Sequence, residues 1–318
     1  MTQQQATVTY AKLNAEIKRL ANSREELIRK RKIPALPNND FKRFNEVIGL
    51  PKHPATLIPS PILPFQIEMH DIIKEYRRTI TNKSRKIGSS EIHLRSIAEA
   101  AFDDLMGHGV MIIFGNRQNE ANKFIDDFDA LFYDGFTDDN GKYWSHDDIV
   151  VSKKSSRLEL ISDVYLEAYP ADPTALRSQK KIRWVFISEA AHVKRLDDSK
   201  VYTAVHPNIA NDPMAYFTME STPNGKRGFF FDQAQLAIQG KNEYTYKEYT
   251  YDLALGSLLT KDFIESEHRN PKIDFEQEYN CKFTSSQSAA FPEEIVMRNF
   301  IPEKVTDYSD IIGVSYGN

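Results

Sequence analysis

The sequence predicts an α/β fold, a mostly parallel central sheet flanked by helices, with an N-terminal helical arm. Three observations carry that expectation. Residues 110–114 (V-M-I-I-F), 184–187 (W-V-F-I) and 215–219 (A-Y-F-T-M) are apolar runs of strand length, as in strands buried on both faces. The segments after residue 90 and after residue 118 carry apolar side chains at helical spacing. Polar clusters follow the strands at 82–90, 115–118, 188–189 and 221–225. Open α/β sheets gather their functional groups at such carboxyl ends.

The bulk properties set bounds. With 318 residues the chain has length for a large buried core, and 41% hydrophobic with 27% charged residues is ordinary globular composition. A net charge of −4 excludes a globally basic nucleic-acid coat but leaves room for a local basic face. The single cysteine, Cys281, excludes an internal disulfide framework and fits a reducing compartment. No apolar run reaches membrane-spanning length, and the N-terminus lacks the apolar core of a signal peptide, so a soluble intracellular protein is expected.

Taken in order, residues 10–32 place Leu13, Ile17, Leu20 and Leu27 at helical spacing. Ser23 with Glu26 forms a capping box at which the helix could break and restart. The basic run Arg29 to Lys32 reads as a nucleic-acid contact or as a solvated helix end. Residues 33–64 hold seven of the fifteen prolines and no sustained period, and are expected to form an extended connector. A short helix around Ile67, Ile72 and Ile73 leads into a β-branched strand at 78–81. The loop N-K-S-R-K-I-G-S-S-E (82–91) follows, and then a helix with Ile92, Leu94, Ile97, Ala98, Ala101 and Leu105 on one side, ended by Gly107 and Gly109. After the strand at 110–114 a second helix carries Ala121, Phe124, Ile125, Phe128, Leu131 and Phe132. Residues 134–148 read as an acidic surface loop, and three strand-like segments with a hairpin at Ser162-Asp163 lead to a polar loop containing Arg177. Beyond the strands at 184–187 and 215–219 come a tyrosine-rich edge strand (244–251), a helix near 261–268 and a compact amphipathic segment at 275–283 (F-E-Q-E-Y-N-C-K-F). Residues 310–317 read as the start of a further strand.

The organising stretch is the loop at 82–91. Strand, basic glycine loop and helix make the geometry of a phosphate-binding loop, in which backbone N–H groups and a helix N-terminus face the anion. It departs from G-x-x-x-x-G-K-[ST] because the first glycine is missing and Ser89 stands where the lysine belongs. Nucleotide hydrolysis needs a cation on the phosphates, a hydroxyl for Mg²⁺ and a carboxylate to orient water. Lys83 and Arg85 can supply the cation from the start of the loop, with Lys86 a further basic residue. Gly88 permits close backbone approach. Ser90 is the candidate hydroxyl, and Glu189, at the end of an apolar strand, the candidate water-orienting base. His192 reads as a packing or solvent histidine, because no second ligand stands at metal spacing. The tyrosines at 244–251 read as a half-buried strand before they read as base-stacking groups.

These motifs resemble the ATPase domain of the large terminase subunits of tailed viruses, the motors that package double-stranded DNA. Pro64-Phe65-Gln66 resembles that family's adenine-recognition motif. Lys83-Ser84-Arg85-Lys86-Ile87-Gly88-Ser89-Ser90 resembles its deviant phosphate loop, with the basic residue at the loop's start. Ile187-Ser-Glu-Ala-Ala191 resembles its hydrophobic-D-E-A-A motif. Ser221-Thr222-Pro223-Asn224-Gly225 matches its S-T-P-N-G coupling motif. Residues 275–283 resemble the F-x-Q-E-Y-x-C-x-F stretch that closes the ATPase domain, and 313–317 resemble the first strand of the nuclease domain that follows.

The resemblance implies a RecA-like P-loop ATPase core over residues 60–240. A helical arm and proline-rich connector (1–59) would precede it, with the rest of the ATPase domain and a linker (241–305) and the start of a nuclease domain (306–318) after it. It implies ATP and Mg²⁺ as cofactors: Gln66 reading adenine, residues 83–90 holding phosphate, Ser90 and Ser188 at the metal, Glu189 orienting water. It also implies Arg177 as a catalytic arginine, within the chain or across a subunit boundary, with Arg117 a second candidate and a surface role the alternative for Arg177. Ser221, Thr222 and Asn224 would couple hydrolysis to DNA movement. The implied partners are double-stranded DNA, a portal or procapsid, a small terminase subunit and further copies in a ring, in the cytoplasm of an infected host cell and without a membrane. Three serines depart from the family. Ser89 replaces the phosphate-loop lysine, Ser188 replaces the aspartate that holds Mg²⁺, and Ser315 replaces a nuclease ligand. Slow hydrolysis is expected unless another carboxylate helps, and no nuclease activity is expected of this chain. A helicase-like P-loop ATPase and a nucleotide-binding module without hydrolysis are the alternative expectations.

Overall fold

The computed structural model describes residues 3–30, 32–53, 56–114, 117–171, 182–193, 198–210 and 212–284. Its centre is an eight-stranded sheet. In chain order the strands are β1 (Arg78–Lys83), β2 (Gly109–Phe114), the two-residue pair β3 (Phe136–Thr137) and β4 (Tyr143–Trp144) outside the sheet, β5 (Val150–Lys154), β6 (Arg157–Leu160), β7 (Tyr165–Pro170), β8 (Ile182–Ser188), β9 (Tyr216–Ser221) and β10 (Thr245–Tyr249). The sheet order is β10-β1-β9-β8-β2-β7-β6-β5. Neighbours from β10 to β7 run parallel, and β6 and β5 extend that edge antiparallel. The mostly parallel α/β fold read from the apolar runs is the observed one.

Alternation along the strands assigns the two faces. Trp184 and Phe186 of β8 and Tyr216 of β9 belong to one core cluster, while Val185, Ile187, Phe217 and Met219 belong to the other. Four helices cover the first face: α2 (Phe41–Ile48), α3 (Pro64–Tyr76), α4 (Ser89–Phe102) and α5 (Gln118–Ala130). The second face is covered by the helices Asp198–Val205 and Gly228–Ile238. All seven residues of β8 are buried, which is why its sequence shows no alternation of polarity.

Four expectations are corrected. The first helix, α1 (Gln3–Arg29), runs through Ser23 without a break. Its Leu20 is buried, and Arg24 donates to the carbonyls of Phe102 and Leu36. The proline-rich connector contains α2, capped by the Asp40 carboxylate on Arg43 N (2.9 Å), and its Phe41, Phe44 and Ile48 are core residues. Apolar spacing over eight residues outweighed the flanking prolines. The loop at 134–148 closes as the β3–β4 pair, because Asp138 accepts hydrogen bonds from Ala35 N, Asn140 N, Lys142 N and the Trp144 indole. The helix after the phosphate loop ends at Phe102, ahead of the expected Gly107. Among the described residues no helix is long and apolar enough to cross a membrane. Ser315 and the expected nuclease strand lie outside the described residues.

Candidate active site

The loop at the end of β1 has the backbone geometry of an anion cradle. Two of its N–H groups are spent on the scaffold: Ser84 N donates to Tyr249 O (2.8 Å) and Arg85 N to Glu278 O (3.0 Å). Among the described residues, those of Lys86, Ile87 and Gly88 donate to no protein acceptor. Lys86 (φ 59°) and Gly88 (φ 79°) are left-handed, a backbone that turns successive N–H groups toward a common point. The 14-residue helix α4 then starts at Ser89 with no side-chain cap, so its positive end is open as well.

Two strands away, Glu189 directly follows β8. The order β1-β9-β8 separates the loop strand from the glutamate strand by one strand, yet Lys83 Nζ lies 2.7 Å from Glu189 Oε1. Lys83 is buried, and burial works against its charge. Glu189 and Glu220 outweigh burial and raise its pKa above the usual lysine value. Glu189 is itself left-handed (φ 52°) without being glycine, a strained backbone of the kind that collects at functional positions.

Sequence reasoning missed the third member, Glu220 on β9. Its fully buried carboxylate accepts from Ser89 Oγ, from Ser90 Oγ (2.6 Å) and from Ser188 Oγ (3.0 Å). The registers Ser188↔Glu220 and Thr81↔Glu220 explain the meeting: β9 lies between the two motif strands and presents Glu220 on the α4 face. Burial opposes ionisation, but His93, Lys83 and the Ser89 and Ser90 hydroxyls hold the carboxyl below its ordinary range. His93, stacked on Phe186 at 4.6 Å, is pushed below the usual histidine range by burial, and its Nδ1 stands 3.0 Å from the Ser89 carbonyl. A charged residue at the end of an otherwise uncharged strand was the available signal.

The remaining predicted residues are placed as follows. Gln66 accepts from Leu63 N (3.0 Å) and donates to Ile87 O (3.1 Å), so its amide joins the start of α3 to the phosphate loop. A Cβ on Gly88 would meet Gln66 Nε2 at 2.8 Å. Beside them opens a cavity of about 620 Å³ lined by Gln66, Lys86, Gly88, Glu91, Arg95 and Leu258, among others, and its lining omits Lys83, Ser90 and Glu189. Arg85 is half-exposed with its Nε 3.7 Å from Glu278, and Lys86 lies over the Phe263 ring at 4.7 Å; neither joins Lys83 at Glu189. Arg117 is exposed at the start of α5, and Arg177 lies outside the described residues.

The S-T-P-N-G loop is bonded to the turn after Glu189. Ala191 N donates to Ser221 Oγ (3.1 Å), Asn224 Nδ2 to Ala191 O (2.9 Å), and His192 Nε2 lies 2.9 Å from Thr222 Oγ1. The segment at 274–284 touches both loops, since Gln277 Oε1 accepts from Gly225 N (2.8 Å) and Asn82 Nδ2 donates to Cys281 O (2.8 Å).

The donor set fits a hard divalent cation. Around Ser90 the described side chains offer hydroxyl and carboxylate oxygen, the chemistry Mg²⁺ takes. Among the described residues no group of three or more His, Cys, Asp or Glu could hold a metal ion by itself.

No protein-family model matches the chain, and no curated protein matches it by sequence. Solved structures do match. The HK97 bacteriophage large terminase aligns with TM-score 0.58 and 13% identity over 72% of this chain and 52% of its own. The large terminase ATPase domain of Thermus phage P74-26 aligns with TM-score 0.54 and 16% identity over 78% of this chain and 99% of that domain. The large terminase of a thermophilic bacteriophage in complex with ATP-γ-S aligns with TM-score 0.53 and 13% identity, over 70% and 53%. The chain thus spans about half the length of the full large terminases and all but the edge of the isolated ATPase domain. It has the RecA-like fold of the ATPase domain of bacteriophage large terminases.

Proposed function

We propose that this chain is the ATP-binding and ATP-hydrolysing motor domain of a terminase large subunit. The observation that carries the reading is the convergence of Lys83, from the phosphate-loop strand, with Glu189, from a strand two places away, beside a loop with free N–H groups. One solved terminase of the same fold was determined both with ATP-γ-S and with ADP, which supports a nucleotide as the ligand.

In this reading the N–H groups of Lys86 to Ser90 and the Lys83 ammonium bind the phosphates, and the cavity beside Gln66 takes the base. Ser90 and a nearby carboxylate would hold Mg²⁺, which would supply charge neutralisation at the phosphates. Glu189 aligns a water and accepts its proton as the new O–P bond forms and the bond from the γ-phosphorus to the bridging oxygen breaks, releasing ADP and phosphate. In the nucleotide-free chain Glu189 is held by Lys83; the γ-phosphate offers Lys83 a stronger anion and frees the carboxylate for water. The reading extends to the motor's partners: double-stranded DNA held by phosphate contacts, a portal or procapsid, a small terminase subunit, and further copies in a ring inside the infected cell.

Ser188, a neutral residue at the metal position, and Ser89, at the lysine position, favour a second reading in which nucleotide binds without turnover. Single-turnover hydrolysis of ATP with Mg²⁺, comparing the chain with Glu189→Gln, separates the two. The motor reading expects turnover that Glu189→Gln lowers by about 100-fold or more with binding retained. Binding without turnover in either protein leaves only the second reading.

A further inference from the structure

We infer that Glu220, on the strand between the two motif strands, is the carboxylate that holds the divalent cation in place of Ser188. The inference rests on the nucleotide-site reading above and assigns a residue that no motif points to.

The strand register carries it. Ser188 and Glu220 are direct partners across β8 and β9, and a shared register position puts both side chains on the face that α4 covers. A carboxylate at 220 therefore arrives where one at 188 would act, displaced sideways by one strand and lengthened by one methylene. The hydroxyl of Ser188 donates to it at 3.0 Å and that of Ser90 at 2.6 Å. The oxygen expected at the metal and the carboxylate are thus already in contact.

Charge makes the second argument. Glu220 is fully buried, yet among the described residues no lysine or arginine nitrogen lies within 4 Å of it. The nearest basic nitrogen among the described residues, His93 Nδ1, stands 3.6 Å away. A carboxylate buried without a lysine or arginine in contact is costly, and a divalent cation at this spot would offset that cost. A purely structural acceptor for three hydroxyls could be a neutral amide at far lower cost.

The relocation of the carboxylate matches that of the cation. Serine at position 89 meets Glu220 with a neutral hydroxyl where the family's residue would bring an ammonium. With serine at 89 and the ammonium moved to Lys83, which pairs with Glu189, Glu220 is left for the divalent ion. Glu220 also directly precedes Ser221, so the metal would bear on the strand that carries the S-T-P-N-G loop.

The test is nucleotide affinity, measured with a fluorescent ATP analogue in EDTA and in Mg²⁺, with Mn²⁺ paramagnetic resonance as a direct count of bound metal. Glu220→Gln keeps the size and an acceptor for the hydroxyls. It is expected to bind nucleotide in EDTA at least as tightly as the parent, since a negative charge beside the phosphates is removed, and to lose the metal-dependent gain and the Mn²⁺ signal, with metal affinity down about 10–100-fold. The exchange Ser188→Asp with Glu220→Ser, which returns the carboxylate to β8, is expected to recover most of the Mn²⁺ signal. Full Mn²⁺ binding by Glu220→Gln together with its loss in Ser188→Ala overturns the assignment. Failure of the unaltered chain to bind the analogue even in EDTA instead removes the nucleotide-site reading, so the two failures are told apart.

Discussion

Lys83 and Glu189 meet at 2.7 Å although their strands are not neighbours, because β9 lies between β1 and β8 and both side chains reach over its carboxyl end. The ammonium is buried and the carboxylate only partly so. The pair marks the point where phosphate chemistry and water activation would share one contact.

Replacing Lys83 tests that contact. Lys83→Ala removes the one lysine or arginine in contact with Glu189 among the described residues. Nucleotide affinity is expected to fall by about tenfold or more and single-turnover hydrolysis by about 100-fold, roughly 2.7 kcal/mol of barrier. Lys83→Arg keeps the charge but must fit a planar fork into a site 7% exposed, so recovery should be partial. Unchanged turnover in Lys83→Ala would place the phosphate cation elsewhere, with Arg85 next in line.

Gly88 and Gln66 are predicted to be coupled. Gly88 sits at φ 79°, where a Cβ is strained by about 1 kcal/mol, and that Cβ would also stand 2.8 Å from Gln66 Nε2. Gly88→Ala should therefore destabilise the chain in urea unfolding by more than the backbone strain alone. In the double variant with Gln66→Ala the clash is gone, so the two losses should fall short of additive by about 0.5–1 kcal/mol. Additive losses would mean that the loop shifts away from Gln66 on its own.

Asn224 is the smallest change that loosens the S-T-P-N-G loop from the turn after Glu189, since its Nδ2 donates to Ala191 O at 2.9 Å. Asn224→Ala should leave nucleotide affinity near that of the parent and reduce the ratio of DNA-stimulated to unstimulated turnover several-fold. One neutral hydrogen bond contributes about 1 kcal/mol, which is a factor of about five. An unaltered ratio would show that the coupling path runs through Ser221 or Thr222 instead.

Much of this was legible in the sequence, for identifiable reasons. β8 and β9 announce themselves because strands buried on both faces need uninterrupted apolar side chains, and the loop at 82–90 because a strand, a glycine and a helix start fall within twelve residues. Glu189 followed from its place at the end of β8. Glu220 was not legible as a site residue, since its meaning depends on β9 lying between β1 and β8, and sheet order is set by packing rather than by local pattern. The double attachment of Gln66, to its own helix start and to Ile87, is likewise a tertiary fact. The helix α2 was hidden by flanking prolines, and its Phe41, Phe44 and Ile48 declare their role only against the faces of α3 and α4.

The far edge of the molecule offers a pH test independent of the active site. Asp129 of α5 accepts from Lys153 of β5 (2.8 Å) and lies 2.8 Å from His146 Nε2, tying that helix to the antiparallel edge of the sheet. Burial works against charge on His146, but Asp129 and Asp147 outweigh it and raise its pKa above the usual histidine value. The folded chain then holds a proton that the unfolded chain releases near pH 6.5. The sign follows: stability from this group is complete below about pH 6.5 and is lost as pH rises through the folded-state pKa. Thermal melts should show a midpoint that declines over that window, by about 2 °C for a contribution on the order of 1 kcal/mol. His146→Gln should lower the midpoint at pH 6 and remove the decline, so parent and variant converge above the window. A parallel pair of curves would show that the ring stays neutral and that Lys153 alone neutralises Asp129.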